Sequence, residues 1–376
     1  MDMDRETTAA IDATRFTCAQ CGGVMRFDPE SESLRCDHCG QLDDIAPPTP
    51  EELAEATHER DFKSAIKALQ NEAPSLEVTL YKCDACAAEV TAPPQSMSIT
   101  CPYCGSNIVA APVQDRVIEP QALLPFRVTR DAAASSFRAW LHKRWFLPTS
   151  LKKAPLDQDK LRGVYTPYWT FDAHATTNYT GLRGDYYWVT QTYTTMVNGK
   201  PQVRTRQVRK TRWSPRAGVV EDQFDDVLIV AADSLPRSMV RQLEPWDLRA
   251  LTKFDQQYLS GFQAERYHIE LDEGFLECCE RNRPIIQSTV MSAIGGDVQR
   301  ITSMDSAYRD IAFRHVLLPI WISAYRHRGK VYRFLVNGRT GEIQAERPWC
   351  AWKIAMLVVG TLAAVAAIIG VIALLQ

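Results

Sequence analysis

Two pairs of cysteine knuckles constrain this 376-residue chain more than any other feature. Cys18-x2-Cys21 is followed after 14 residues by Cys36-x2-Cys39, and Cys83-x2-Cys86 after the same 14 by Cys101-x2-Cys104, an internal repeat at an offset of 65. Two thiolates separated by two residues can be turned onto one ion in a tight loop, and a second such loop on another hairpin completes a tetrahedron. Gly22, Gly40 and Gly105, each directly after a knuckle's second cysteine, suit the backbone of such turns. The pattern predicts two four-cysteine ribbons over residues 16–41 and 76–110, each holding Zn2+. Cys101-Pro-Tyr-Cys-Gly105 also resembles a rubredoxin knuckle, so iron in the same thiolate tetrahedron, an electron carrier, is the alternative. His38 is read as facing solvent, Cys278 and Cys279 as helix residues, and Cys350 as a bystander.

The second constraint lies at the other end. Ile354 to Leu375 is 22 residues without charge or proline, and 12 of them are Leu, Ile or Val. A helix of that length, at about 1.5 Å per residue, covers a ~30 Å hydrocarbon core. Arg347 and Lys353 precede it, with Trp349 and Trp352 at headgroup depth, so the positive-inside rule puts the preceding residues on the cytoplasmic side. We therefore expect a single-pass C-terminal anchor over 348–376. The start of the chain is acidic and lacks the apolar segment of a secretory signal. A reducing compartment then favours metal over disulfides for the cysteines.

Between these ends, residues 1–15 read as an acidic arm and 42–75 as a helical linker. Thr49-Pro50-Glu51-Glu52 has the form of a capping box opening a helix that should run to about residue 71. Its Phe62, Ala65, Ile66 and Leu69 should pack on a ribbon or a partner. Residues 111–347 read as one α+β domain with a largely antiparallel sheet. It should carry a helix near 131–145, strands at 165–173 and 186–197, an Asn198-Gly199 hairpin turn and a return strand at 203–213. A buried strand at 226–232 and helices at 235–243 and 272–294 should follow, the last broken or kinked at Pro284. Strands at 315–325, 331–336 and 342–344 should close the domain, divided by turns at Arg328-Gly329 and Asn337-Gly338.

Charge separates the functions. Residues 1–60 carry 14 acids against 5 bases, and residues 127–216 carry 17 bases against 5 acids. Nucleic-acid affinity comes mainly from Lys and Arg on phosphates, so the acidic ribbons suit protein contact instead. On the return strand Arg204, Arg206, Lys210 and Arg212 should share one face by period-two alternation, a candidate contact for anionic lipid or nucleic acid. No phosphate-loop, HExxH or GxSxG pattern occurs, so we do not expect an enzyme or a small-molecule substrate. Gly181-Leu-Arg-Gly184 and Gly338-Arg-Thr-Gly341 read as turns. Asp225 and Asp226, adjacent on a strand, should point to opposite faces. His174, His268 and His315 read as hydrogen-bonded structural histidines.

A resemblance rests on Leu124-Pro-Phe126, Gly163-Val-Tyr-Thr-Pro-Tyr-Trp-Thr-Phe-Asp172, Arg183-Gly-Asp-Tyr-Tyr187, Asp225-Asp-Val-Leu228, Glu244-Pro-Trp-Asp-Leu248, Gly295-Gly-Asp-Val-Gln-Arg-Ile301, His315-Val-Leu-Leu-Pro-Ile-Trp321 and Val336-Asn-Gly-Arg-Thr-Gly341. Over nearly its whole length the chain is similar to a bacterial family of tail-anchored double zinc ribbon proteins, called primosomal-helicase-like (replication factor Y) or TFIIB-type zinc ribbon proteins. The motor motifs of a helicase are missing here, so that activity does not carry over. The resemblance implies an adaptor on the cytoplasmic face of a bacterial inner membrane, with flotillin-type (SPFH) or phage-shock-type partners in envelope stress. The alternative is a membrane-tethered nucleic-acid-binding protein, helicase-accessory or transcription-related; nucleic acid is the less favoured partner.

Overall fold

The computed structural model describes residues 16–70, 76–82, 89–91, 99–100, 107–108, 113–148, 161–197, 200–327, 330–348 and 350–374. The first cysteine block forms a small antiparallel sheet of β1 (Met25–Asp28), β2 (Ser33–Cys36) and β3 (Leu42–Asp43). Then come α1 (Pro50–Thr57), β4 (Arg60–Asp61) and α2 (Phe62–Gln70). The second block contributes β5 (Leu76–Lys82), β6 (Glu89–Thr91), β7 (Ile99–Thr100), β8 (Asn107–Ile108) and β9 (Val113–Val117).

The main sheet is built on three long strands. After β10 (Ala122–Leu123) and α3 (Arg130–Lys143) the chain forms β11 (Arg162–Val197) and β12 (Lys200–Val230). It continues through α4 (Arg237–Arg241), β13 (Thr252–Lys253), β14 (Gln263–Ala264), α5 (Leu271–Ile294) and β15 (Val298–His327). β16 (Lys330–Asn337), β17 (Ile343–Ala345) and α6 (Ala351–Leu374) complete it. The order is β12-β11-β15-β10-β13. All pairings among the long strands are antiparallel, whereas β10 with β15 and β14 with β11 are parallel. This is an α+β architecture dominated by an antiparallel sheet.

Both faces of the sheet are buried at its centre. Along β15, Val316, Leu318, Ile320 and Ile322 enter one core with Val164, Tyr168 and Leu335, while Leu317 and Trp321 enter another with Phe126, Phe137 and Tyr165. Successive side chains of a strand point to opposite faces, so this near-unbroken apolar run requires cover on both. α3, started by Thr129 Oγ1 accepting from Ala132 N, covers one side with Phe137 stacked 3.6 Å from Phe334.

Several elements depart from the sequence expectation. The capping box is present, with Thr49 and Glu52 exchanging hydrogen bonds at 2.9 and 3.2 Å. The predicted single helix to residue 71 is nonetheless two, because Arg60 and Asp61 pair with Phe313 and Ala312 on β15. Phe62, Ala65, Ile66 and Leu69 pack against Trp169, Phe171 and Phe313 of the main sheet rather than on a ribbon. The strands predicted at 165–173 and 186–197 are one strand, and Gly181 and Gly184 lie inside it rather than at a turn. Added Cβ atoms there would sit 2.6 Å from Arg300 O and 2.6 Å from Val298 Cγ1, so these glycines allow close approach. The strands at 203–213 and 226–232 likewise merge into β12, and β15 begins 17 residues before the predicted 315. α5 continues through Pro284 and ends at Gly295, whose φ of 67° is left-handed. The predicted turns Asn198-Gly199 and Arg328-Gly329 lie outside the described residues.

The apolar run predicted to anchor the chain is helical, as α6. Among the described residues no helix is both long and apolar enough to cross a membrane. α6 begins against the domain, where Lys353 Nζ donates to Trp145 O and Leu147 O at 3.0 and 2.8 Å.

Candidate metal centre

The first four cysteines meet at two loops of the same design. Thr17 bridges to Val24 around the first, and β2 pairs with β3 around the second. Cys18 N donates to Gly23 O and Gly22 N to Cys18 O, both at 2.8 Å. At the second loop Cys36 N donates to Gln41 O at 2.9 Å and Gly40 N to Cys36 O at 3.1 Å. Gly22 and Gly40 close these turns at φ of 70° and 75°, where an L side chain is strained even with open space around it.

The four sulfurs lie within 4.8 Å of one another. Cys18 Sγ is 3.6 Å from Cys39 Sγ, and Cys21 Sγ is 3.5 Å from Cys36 Sγ. A tetrahedron with Zn–S bonds of about 2.3 Å has sulfur–sulfur edges of roughly 3.8 Å, whereas a disulfide would need about 2.05 Å. The donor set therefore fits a tetrathiolate metal ion. Backbone N–H groups of Cys39 and His38 pull the Cys36 thiol down to about 6. For Cys21 the Gly23 backbone hydrogen bond works downward, but the thiols of Cys39 and Cys36 work against it and push the group up to about 12. An ion would replace the protons these sulfurs contest. His38 is exposed, as expected, and Cys278 is buried within α5.

This ribbon is seated on the main domain. Phe27 packs on Tyr258 and Phe262 at 5.2 and 6.3 Å, Phe27 N donates to Ser260 O, and Ser260 Oγ donates to Met25 O at 2.7 Å. Cys18 and Cys36 are buried beside this contact and Cys21 and Cys39 are exposed; of the ribbon's exposed acids, Asp37 pairs with Arg26 at 2.9 Å and Glu32 with Arg339 at 3.7 Å.

Cys83, Cys86, Cys101 and Cys104 lie outside the described residues, but the strands flanking them repeat the first ribbon's register. Lys82 pairs with Glu89 as Thr17 does with Val24, and Ile99 and Thr100 pair with Ile108 and Asn107 as Leu34 and Arg35 do with Asp43 and Leu42. Every member of these pairs is displaced by 65, the offset of the cysteines themselves.

The predicted basic face is present. Arg212, Lys210, Arg206 and Arg204 stand opposite Asp185, Tyr187, Gln191 and Tyr193, alternate positions on one face of the β11–β12 ribbon. Arg206 lies over Tyr193 at 5.5 Å and Arg212 over Tyr187 at 5.4 Å.

A carboxylate cluster escaped the sequence reading. Glu59, Asp172 and Asp225 bring oxygens within 4.8 Å. A bulge between Phe171 and Ala173, with Asp226 at φ 50°, breaks the alternation expected of Asp225 and Asp226, and Asp226 N donates to Asp172 Oδ1 at 2.8 Å. The buried Arg314 answers the charge: it pairs with Asp226, approaches Glu59 at 3.5 Å, and donates to Thr170 Oγ1 and Thr57 O. We read an ion-pair network that ties the α1–β4 connection to the sheet. Burial, then the hydrogen bond with Glu59, raises Asp172 to about 7. An unfolded aspartate titrates near pH 4, so the folded chain binds more protons between about pH 4 and 7 and loses stability as pH rises through that window. Asp172→Asn is expected to raise the thermal midpoint over the native chain at pH 8, with the gain shrinking towards pH 5. Of the histidines, the His315 ring lies 4.7 Å from that of Trp169, tilted by 41°, with Nδ1 3.1 Å from Ile118 O, and burial pushes it down to about 4.

Fold and site together define a class: a long-stranded α+β sheet domain with a docked four-thiolate ribbon. No family model and no solved structure matches the chain. It is similar to YdjG of Bacillus subtilis (strain 168), a protein described as uncharacterized, at 23% identity over 354 residues, or 90% of this chain and 92% of that protein.

Proposed function

We propose that this chain is a membrane-held adaptor in which two zinc ribbons display acidic surfaces to protein partners on the cytoplasmic face of a bacterial inner membrane. The observation that carries this reading is the convergence of Cys18, Cys21, Cys36 and Cys39 on a ribbon that packs on the main domain through Phe27 and carries exposed acids, Glu30, Glu32 and Asp37. The repeated strand register supports a second site at Cys83, Cys86, Cys101 and Cys104. Zinc suits a closed tetrathiolate with a structural role, with iron the lesser alternative.

The anchor is our reading of the apolar run 354–375; its helix α6 does not meet the length and apolarity of a membrane span among the described residues, but its described apolar side chains from Met356 to Ile369 are all exposed. An apolar helix uncovered on every side needs a nonpolar medium. The resemblance points to flotillin-like (SPFH) or phage-shock-type partners in envelope stress. The cationic face of the β11–β12 ribbon favours a second contact, with the anionic leaflet or, in the alternative reading, with nucleic acid.

Crosslinking and recovery from intact membranes tests the proposal, comparing the native chain with one carrying serine at Cys18, Cys21, Cys83 and Cys86. We expect a membrane-associated partner that is lost with the serine form. Unchanged partners, or nucleic-acid machinery released by nuclease, would overturn the adaptor role.

A further inference from the structure

The β11–β12 ribbon runs well beyond the sheet that carries it. β15 leaves β11 at the pair Gly184 and Val298. There Asp297 N donates to Gly184 O at 2.9 Å, and Asp297 Oδ2 accepts from Tyr186 N at 2.6 Å. Gly184 and Tyr186 thus turn their backbone polar groups away from β12. In a regular strand the same holds at every second residue, so Trp188, Thr190, Thr192, Thr194 and Met196 direct N–H and C=O to an edge with no partner strand among the described residues.

The two edges of this ribbon differ in chemistry. Residues 186–197, Tyr-Tyr-Trp-Val-Thr-Gln-Thr-Tyr-Thr-Thr-Met-Val, hold no charge, no proline and no glycine. Long β-prone edges of this kind invite strand addition, and proteins usually blunt them with Lys, Arg or Pro. The facing segment of β12 is blunted in that way, by Lys200, Pro201, Arg204, Arg206, Arg209, Lys210 and Arg212.

We propose that the free edge of β11 is an interface by which two copies of this chain pair, strand to strand and antiparallel. Charge selects the occupant. Pairing β11 with β11 places the bases of each copy on the outer strands, one strand removed from the contact, whereas adding β12 of a second copy would bring its bases onto an uncharged edge. An acidic peptide finds no cation on β11 itself. The arrangement is two-fold and closes at two copies, because the outer edges it leaves are the blunted ones. In a register centred on Gln191, Tyr186 of one copy faces Met196 of the other, Trp188 faces Thr194, and Thr190 faces Thr192, so outward backbone groups meet outward backbone groups. The two Gln191 residues then oppose each other as a non-hydrogen-bonded pair, with Cα atoms about 4.5 Å apart.

Light scattering on the full chain in detergent, corrected for bound detergent, is expected to give two copies per particle. Thr192→Pro removes an N–H that faces away from β12, so it should halve the mass while leaving circular dichroism unchanged. Gln191→Cys should form an intermolecular disulfide under mild oxidation, beyond any background in the native chain, because opposed Cα atoms at that distance suit one. A native particle of one copy overturns the proposal, as does a Thr192→Pro particle of two. Should Thr192→Pro not fold, the absence of the Gln191→Cys crosslink overturns it instead.

Discussion

Cys36→Ser is expected to unfold the first ribbon while the main sheet stays folded. Cys36 is buried, accepts backbone N–H bonds within its knuckle and stands 3.5 Å from Cys21 Sγ. Structural zinc supplies an apparent ~10–16 kcal/mol in zinc-finger peptides. The sheet of β1 to β3 is too small to retain its fold without such a term, and its core residues Met25, Phe27 and Leu34 lean on Phe262 and Tyr258 for the rest of their cover. Limited proteolysis should therefore cut within residues 16–43 of the variant and spare them in the native chain. The main domain loses one covering element but keeps the cores around Val164 and Trp169, which the ribbon does not touch.

Arg314→Met should cost about 3–5 kcal/mol of unfolding free energy at pH 8, the usual penalty for removing one partner of a buried ion pair. Arg314 is 8% exposed and is the cation that Asp226 and Glu59 face, beside Asp172. Removing it leaves those carboxylates to repel one another across the bulge. At pH 5 Asp172 is protonated, so the loss should be smaller there. Urea unfolding at both pH values measures the difference, and Asp226→Asn combined with Arg314→Met should recover part of it.

Features fixed by local chemistry were legible in the sequence. Knuckle spacing places four sulfurs together because the loop is short, and Thr49 with Glu52 makes a capping box whatever surrounds it. The basic face followed from strand alternation alone, and the register repeat at 65 follows the cysteine repeat. Features set by distant partners were not legible. Nothing near Arg60 and Asp61 announces that they pair with β15 and split a helix. Gly181 and Gly184 carry the local signature of a turn, yet serve the approach of β15 and α5. The Asp172 cluster depends on a bulge that reverses alternation at Asp226, which period-two reasoning assigns to the wrong face. The edge of residues 186–197 is open because β15 pairs with β11 no further than Gly184 with Val298, a distant limit that strand propensity does not encode.

The central claim is that both cysteine blocks hold metal in thiolate tetrahedra. Elemental analysis with X-ray absorption on the full chain, purified in detergent without added metal, tests it most directly. The account predicts two zinc ions per chain in an all-sulfur shell at about 2.3 Å. One ion per chain, a shell containing nitrogen or oxygen, or a red iron-loaded protein would contradict it.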